Sequence, residues 1–226
     1  MPSSWIEVAP AIVNTVLTLR PRRVLDLGMG AGKYGFLIRE QGDLAAGRTL
    51  RRDWQIHIEG VEGYAPTISD HQRCVYDLIH AVDAREFLRD YRGPKYDVCL
   101  AIDVIEHFLP EEATALIRGA LDVSRYVLIS TPRGFFTQHV PGNPLDEHRS
   151  WWPKSSLKKL ARVCGATMVI AHVYASNVAV FSRGDSLPKI RVGQLRAFLR
   201  ILRDLSVPEH LYYTLIGGRG PTIPKD

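Results

Sequence analysis

Apolar residues at Trp5, Val8, Ile12, Val13, Val16 and Leu17 recur at helical spacing, so the sequence predicts an amphipathic helix over residues 4–19. The capping-box pattern Ser4-Trp-Ile-Glu7 opens it and Pro21 ends it. The run Arg23-Val-Leu-Asp-Leu27 reads as a buried strand that passes directly into Gly28-Met-Gly-Ala-Gly-Lys-Tyr-Gly35. A helix from about Tyr34 to Gln41 follows, and the Gly- and Arg-rich residues 42–53 read as an exposed connection. Further strands are predicted at Gln55–Val61, Val75–Val82, Tyr96–Ile102 and Tyr126–Ser130, with helical segments at Arg85–Tyr91 and Glu111–Leu121. Strands separated by helices of this length imply right-handed crossovers and a mostly parallel sheet covered on both faces.

The later chain changes character. Trp152–Cys164 is a predicted helix, and the strands Met168–Tyr174 and Asn177–Ser182 stand two residues apart, which permits a hairpin and not a crossover. The predicted fold is therefore α/β: a seven-stranded, mostly parallel sheet closed by an antiparallel hairpin, with residues 1–184 as the core domain. From Leu187 to Leu205, Ile190, Leu195, Phe198, Leu199, Leu202 and Leu205 form an apolar stripe, while Lys189, Arg196, Arg200 and Arg203 lie mostly elsewhere. This predicts a C-terminal helical extension over 185–226 that packs on its own domain or on a second subunit, leaving a homodimer open. Asp204 and Glu209 dilute its positive charge and no aromatic residues alternate with the arginines, so its basic side reads as a solvated face and nucleic acid as an unlikely partner.

Composition narrows the class. In 226 residues, 46% are apolar and 23% charged, which excludes disordered and collagen-like chains. Lys and Arg number 29 against 24 Asp and Glu, a balance of +5 compatible with an anionic substrate but diagnostic of none. The cysteines, Cys74, Cys99 and Cys164, are odd in number and form no C-x-x-C pair, as in a reducing cytoplasm. No basic residue precedes the apolar stretch Ala11–Leu19 and no apolar run approaches the roughly 18 residues of a membrane span, so a cytoplasmic protein without membrane insertion is expected.

Asp26, Glu62, Asp83 and Asp103 all fall at or just beyond predicted strand ends, where ligands bind in an open α/β sheet. The glycine loop after the first strand fits several ligands. A phosphate-binding P-loop fails, because Gly28 to Lys33 is one residue short and Tyr34 replaces the hydroxyl residue. A dinucleotide fingerprint matches only in the late frame Gly30-Ala-Gly32-Lys-Tyr-Gly35, which leaves an NAD-dependent oxidoreductase as one reading. A non-catalytic cofactor-binding or partner-docking protein is another.

Asp26-Leu-Gly28-Met-Gly30-Ala-Gly32 resembles the first motif of the class I, Rossmann-like S-adenosylmethionine-dependent methyltransferases, an acid followed by G-x-G-x-G. Gly60-Val-Glu62-Gly resembles the family's second-strand position, with Glu59 as the nearby alternative, Asp83-Ala84 its third-strand position, and Tyr96 to Phe108 its fourth-strand motif. The resemblance covers about residues 22–182. It implies S-adenosylmethionine as cofactor, with Asp26, Gly28, Gly30 and Gly32 shaping its loop, Glu62 at the ribose, Asp83 and Ala84 at the adenine, and Asp103 at the methionine end. The implied reaction is methyl transfer to an oxygen, less readily a nitrogen, of a small metabolite or sugar-containing acceptor.

If the acceptor is a hydroxyl, its proton needs a base, and His107 and His148 are the candidates. The alternative for Glu106-His107 is that they open the next helix. Phe135, Phe136, Arg149, Trp151 and Trp152, on loops after the fifth strand, are candidates for the acceptor pocket; the alternative is a surface loop whose tryptophans cover the core. Asp103-x-x-Glu106-His107 with His148 also resembles the metal-binding pattern of small-RNA 2'-O-methyltransferases, with Asp in place of the first Glu. Oxygen and imidazole ligands suit magnesium or manganese, but no metal is assigned here.

Overall fold

A computed structural model describes residues 4–135, 137–138, 140 and 142–190. The strands are β1 (Arg23–Leu27), β2 (His57–Val61), β3 (Leu78–His80), β4 (Tyr96–Ile102), β5 (Ser124–Pro132), β6 (Thr167–Val173) and β7 (Ser176–Ser182). They form one sheet in the order β3-β2-β1-β4-β5-β7-β6. The first five run parallel to one another, and β7 is antiparallel to both β5 and β6, so the predicted closing hairpin is present.

The order reverses at β1. Successive crossovers carry the chain outward from β1 to β2 and β3, and the next one returns it to β4 on β1's other side. This switch point opens a crevice at the strands' carboxyl ends.

The helices are α1 (Ala9–Thr18), α2 (Lys33–Gly42), α3 (Asp70–Val75), α4 (Ala84–Asp90), α5 (Pro110–Val123) and α6 (Lys154–Val163). Leu25, Leu27, Cys99, Ala101, Val127, Ile129, Ala179 and Phe181 share one core with Phe87, Leu116, Ile117 and Leu157 from α4, α5 and α6. The alternate positions Val24, Ile58, Val98, Leu100, Leu128 and Val180 are as deeply buried on the opposite face. Burial on both faces is why these strands read as continuous apolar runs rather than alternating ones.

Several elements differ from the sequence expectation. The first helix begins at Ala9 after a 3-10 turn at Ile6–Val8, and Ser4 does not cap it. Pro10 lies in its first turn, where a missing N–H costs no hydrogen bond. The third strand shrinks to Leu78–His80 because α3 takes residues up to Val75; Ser69-Asp-His-Gln72 is a capping box, with the Gln72 side chain accepting from Ser69 N–H at 2.6 Å. Beyond Ser182, Asp185 pairs with Arg125 and the Ser186 carbonyl accepts from Tyr126, and residues 183–190 contain no helix. The rest of the predicted extension lies outside the described residues. Among those described, no helix is long and apolar enough to cross a membrane.

Residues 42–56 are held more firmly than an exposed connection would be. Arg39, buried in α2, pairs with Asp43 at 2.6 Å and Asp77 at 2.8 Å, donates to the Ile56 carbonyl, and stacks 4.0 Å from the Trp54 ring centre. Asp43 also accepts from Arg48 and from Gln55 N–H. Removing the cation leaves a buried carboxylate short of its main partner. Arg39→Met should cost about 3 kcal/mol of unfolding free energy, read as a lowered urea midpoint with an unchanged denaturant slope.

Candidate functional site

The turn after β1 builds the floor of the site. Gly28, Gly30 and Gly32 have φ of 65°, 51° and 78°, a left-handed conformation that side chains resist. At Gly28 a Cβ would also meet Val104 at 2.8 Å. The turn is fastened to β2, with Gly28 N–H donating to the Val61 carbonyl at 2.8 Å. The left-handed glycines are those of the D-x-G-x-G-x-G frame, whereas Gly35, needed by the late dinucleotide frame, lies inside α2.

The acids converge here. Asp26, Gly28, Gly30, Glu62, Asp83, Ala84, Asp103, Glu106, His107, His148 and Arg149 all line one cavity of about 400 Å³. Gly32 is not in its wall and starts α2 instead. Glu62 accepts from Gly30 N–H at 2.9 Å and Tyr64 N–H at 2.8 Å, so it holds the glycine loop directly. Glu59, the alternative, lies within β2, bonded to Arg23, His57 and His80, and outside the cavity wall.

Asp83 lines the cavity already partnered. Its carboxylate caps α4 through Arg85 N–H at 2.7 Å and binds the Arg85 guanidinium with both oxygens. These hydrogen bonds hold its pKa below the ordinary value, so it lines the cavity as the ionised half of an ion pair.

Asp103 sits at φ 52°, a strained position for a residue with a side chain. Its N–H donates to the Ser130 carbonyl at 3.0 Å and its carboxylate accepts from the Ser130 hydroxyl, so β5 fixes it at both ends. Burial raises its pKa, against the Ser130 hydrogen bond and the charge of Lys33. Lys33 donates to the Ser4 carbonyl at 2.5 Å and hydroxyl at 2.9 Å, and Ser4 also bonds the Tyr34 hydroxyl. With Trp5, these residues put the N-terminal segment into the cavity wall, which periodicity alone gave no means of seeing.

Glu106, His107 and His148 bring ligand-type atoms within 4.8 Å of one another. His107 Nδ1 donates to the Glu147 carbonyl at 3.2 Å, which leaves Nε2 as its basic nitrogen. Burial holds its pKa below the usual histidine value. Glu106 is buried, and among the described residues neither carboxylate oxygen has a hydrogen-bond partner of good geometry. Burial first, then the Asp103 charge, pushes its pKa well up. The Thr131 hydroxyl and its own N–H give this carboxyl only weak support, and a buried carboxyl beside two imidazoles is a donor set suited to a divalent ion.

The loop carrying His148 is anchored by Arg149 and Ser150 N–H, which both donate to the Glu106 carbonyl, at 2.7 and 3.0 Å. Arg149 lines the cavity and pairs with Glu112 at 3.3 Å. Trp152 does not line it: its ring is in the core, with the indole N–H donating to Ser150 Oγ at 2.7 Å. Phe135 and Trp151 are half exposed and outside the wall, the latter donating to the Arg133 carbonyl. Phe136 lies outside the described residues. The wall on this side instead uses Gln138 and Asn143–Asp146, a turn in which Asn143 Oδ1 accepts from Leu145 N–H and its amide donates to Asp146.

No protein-family model and no curated protein matches the sequence. Solved structures of similar fold include an O-methyltransferase family protein from Burkholderia thailandensis, at 18% identity and TM-score 0.55, matched over 79% of this chain and 56% of that one. A second is magnesium protoporphyrin IX methyltransferase from Synechocystis PCC 6803 with bound SAM, at 15% identity and TM-score 0.55 over 79% of each chain. A third is the methyltransferase domain of bacterial CtHen1-C, at 20% identity and TM-score 0.55, over 79% of this chain and 98% of that one. The chain thus spans little more than half the length of the first. The fold is that of the class I, Rossmann-like methyltransferases.

Asp26 supplies a test of the site's electrostatics. Burial raises its pKa from 3.8 to about 7, so between those values the folded chain holds a proton the unfolded chain has released. Its contribution to stability is therefore lost as pH rises from about 4 through 7. Asp26→Asn should be more stable than the parent at pH 8, by on the order of 2–4 kcal/mol, with the gain gone at pH 4. Urea denaturation at the two pH values measures it.

Proposed function

We propose that this chain transfers a methyl group from S-adenosylmethionine to a hydroxyl oxygen of a small or sugar-containing acceptor. One observation carries the reading: Asp26, Glu62 and Asp103, from three strand ends, face one cavity over a left-handed glycine loop. A sulfonium donor is cationic, so this acidic wall favours it over the product, whose sulfur is neutral. The acceptor oxygen forms its bond to the methyl carbon as the carbon–sulfur bond breaks, and the electron pair returns to sulfur. The acceptor proton goes to His107 Nε2, which is basic because Nδ1 already donates to Glu147. Alignment and exclusion of water supply the rest of the rate.

Two measurements test this. Titration calorimetry should show S-adenosylmethionine binding and no NAD binding, and His107→Ala should retain donor binding while losing about 100-fold or more in methyl transfer to hydroxyl acceptors. NAD binding without S-adenosylmethionine binding would overturn the reading.

The Glu106, His107 and His148 cluster favours a second reading, metal-assisted methylation of a ribose 2'-hydroxyl in RNA. Those three residues would hold the ion, and a divalent cation there would favour ionisation of a nearby hydroxyl. His107 would then be a ligand and not the base. Manganese titration followed by electron paramagnetic resonance should show one bound ion, with affinity reduced at least tenfold in Glu106→Gln. Absence of binding would remove this reading and leave His107 as the base.

A further inference from the structure

Tyr76 follows α3 and is 1% exposed, beneath the glycine loop and outside the cavity wall. Its hydroxyl donates to Asp26 Oδ2 at 2.6 Å, a buried contact between residues far apart in sequence. The ring fills space left by glycines on two other elements. A Cβ at Gly35 in α2 would collide with the Tyr76 ring, and one at Gly60 in β2 would lie 2.9 Å from it. At Gly32 the same ring would be 3.2 Å away. Strand β1, strand β2 and the start of α2 therefore close on one side chain.

We infer that Tyr76 is a positioning residue for the methyl donor, its hydroxyl holding the Asp26 carboxyl at the cavity wall and its ring setting the height of the glycine loop above the sheet. The inference rests on the donor-site reading above. The titratable groups facing Asp26 are the Tyr76 phenol, Glu62 from the end of β2, the Tyr34 phenol from α2 and the Cys99 thiol from β4. None is a cation, so the phenol hydrogen bond is the interaction that favours the ionised carboxylate, against burial and against Glu62. A cationic donor arriving at the cavity drives Asp26 to release its proton, and Tyr76 holds the resulting carboxylate in place.

The test is titration calorimetry of the intact chain with S-adenosylmethionine between pH 6 and 9, repeated in two buffers of different ionisation heat. The parent should bind more tightly as pH rises through about 7 and release a proton on binding at pH 6. Tyr76→Phe keeps the ring and removes the hydroxyl; its rise in affinity should move up by about one pH unit, leaving it about tenfold weaker near pH 6, about threefold weaker near pH 7.5 and converging with the parent at pH 9. Asp26→Asn should show neither the rise nor the proton release, which keeps the inference testable if Tyr76→Phe folds poorly. A uniform loss in Tyr76→Phe with the parental pH profile would reduce Tyr76 to a packing residue and overturn the inference. So would parental proton release persisting in Asp26→Asn. No S-adenosylmethionine binding by the parent at any pH would instead overturn the donor-site reading, and this inference with it.

Discussion

Carboxyl groups buried around one cavity must be protonated, hydrogen-bonded or met by a cation, and the site is organised by how each meets that demand. Asp26, Glu62, Asp103 and Glu106 all have pKa values raised by burial. Glu62 accepts two backbone N–H groups, Asp103 a hydroxyl, and Asp26 a phenol. Glu106 has no partner of comparable geometry among the described residues. The gradation separates two groups: the first three acids are each held by a hydrogen-bond donor, and the fourth stands with the histidines. Asp83, further exposed and paired with Arg85, shows what an acid at a strand end becomes when a cation is already beside it.

Much of the donor side was legible because strand ends are. A short apolar run followed by glycines fixes where β1 stops, and an acid at such a point is placed by topology whatever its side chain contacts. The same logic located Glu62 and Asp103. What it could not convey was the state of each carboxylate, since the partners Ser130, Tyr76 and Arg85 become neighbours only after folding or through helix capping. Tyr76 falls in the predicted strand Val75–Val82, but the Ser69–Gln72 capping box takes residues 70–75 into helix and the strand begins only at Leu78.

The acceptor side was less legible for a different reason. Its residues come from the segment after β5, where no periodicity assigns an inside and an outside. Trp151 and Trp152 are adjacent and chemically identical, yet one is half exposed and the other packs in the core. His148 and Arg149 were recognisable as polar residues in an aromatic segment. The N-terminal wall formed by Ser4, Trp5 and Lys33 depends on contacts across the fold. The structural likenesses, at 15–20% identity, follow this division: they support the sheet and leave the acceptor loops to this chain's own residues.

The placement of β1 governs how the chain assembles. The first strand made is flanked by β2 on one side and β4 on the other, in a register that joins Leu25 to Glu59 and to Cys99. A nascent chain that has only just completed β1 lacks both neighbours, so the glycine loop has no carbonyl from Val61 to bond and no Val104 against which to rest. Parallel pairings between distant segments are slow, because loop closure must precede the contacts that reward it. The glycine loop thus waits for two strands made after its own, and Asp26 beside it meets water until the fourth strand arrives.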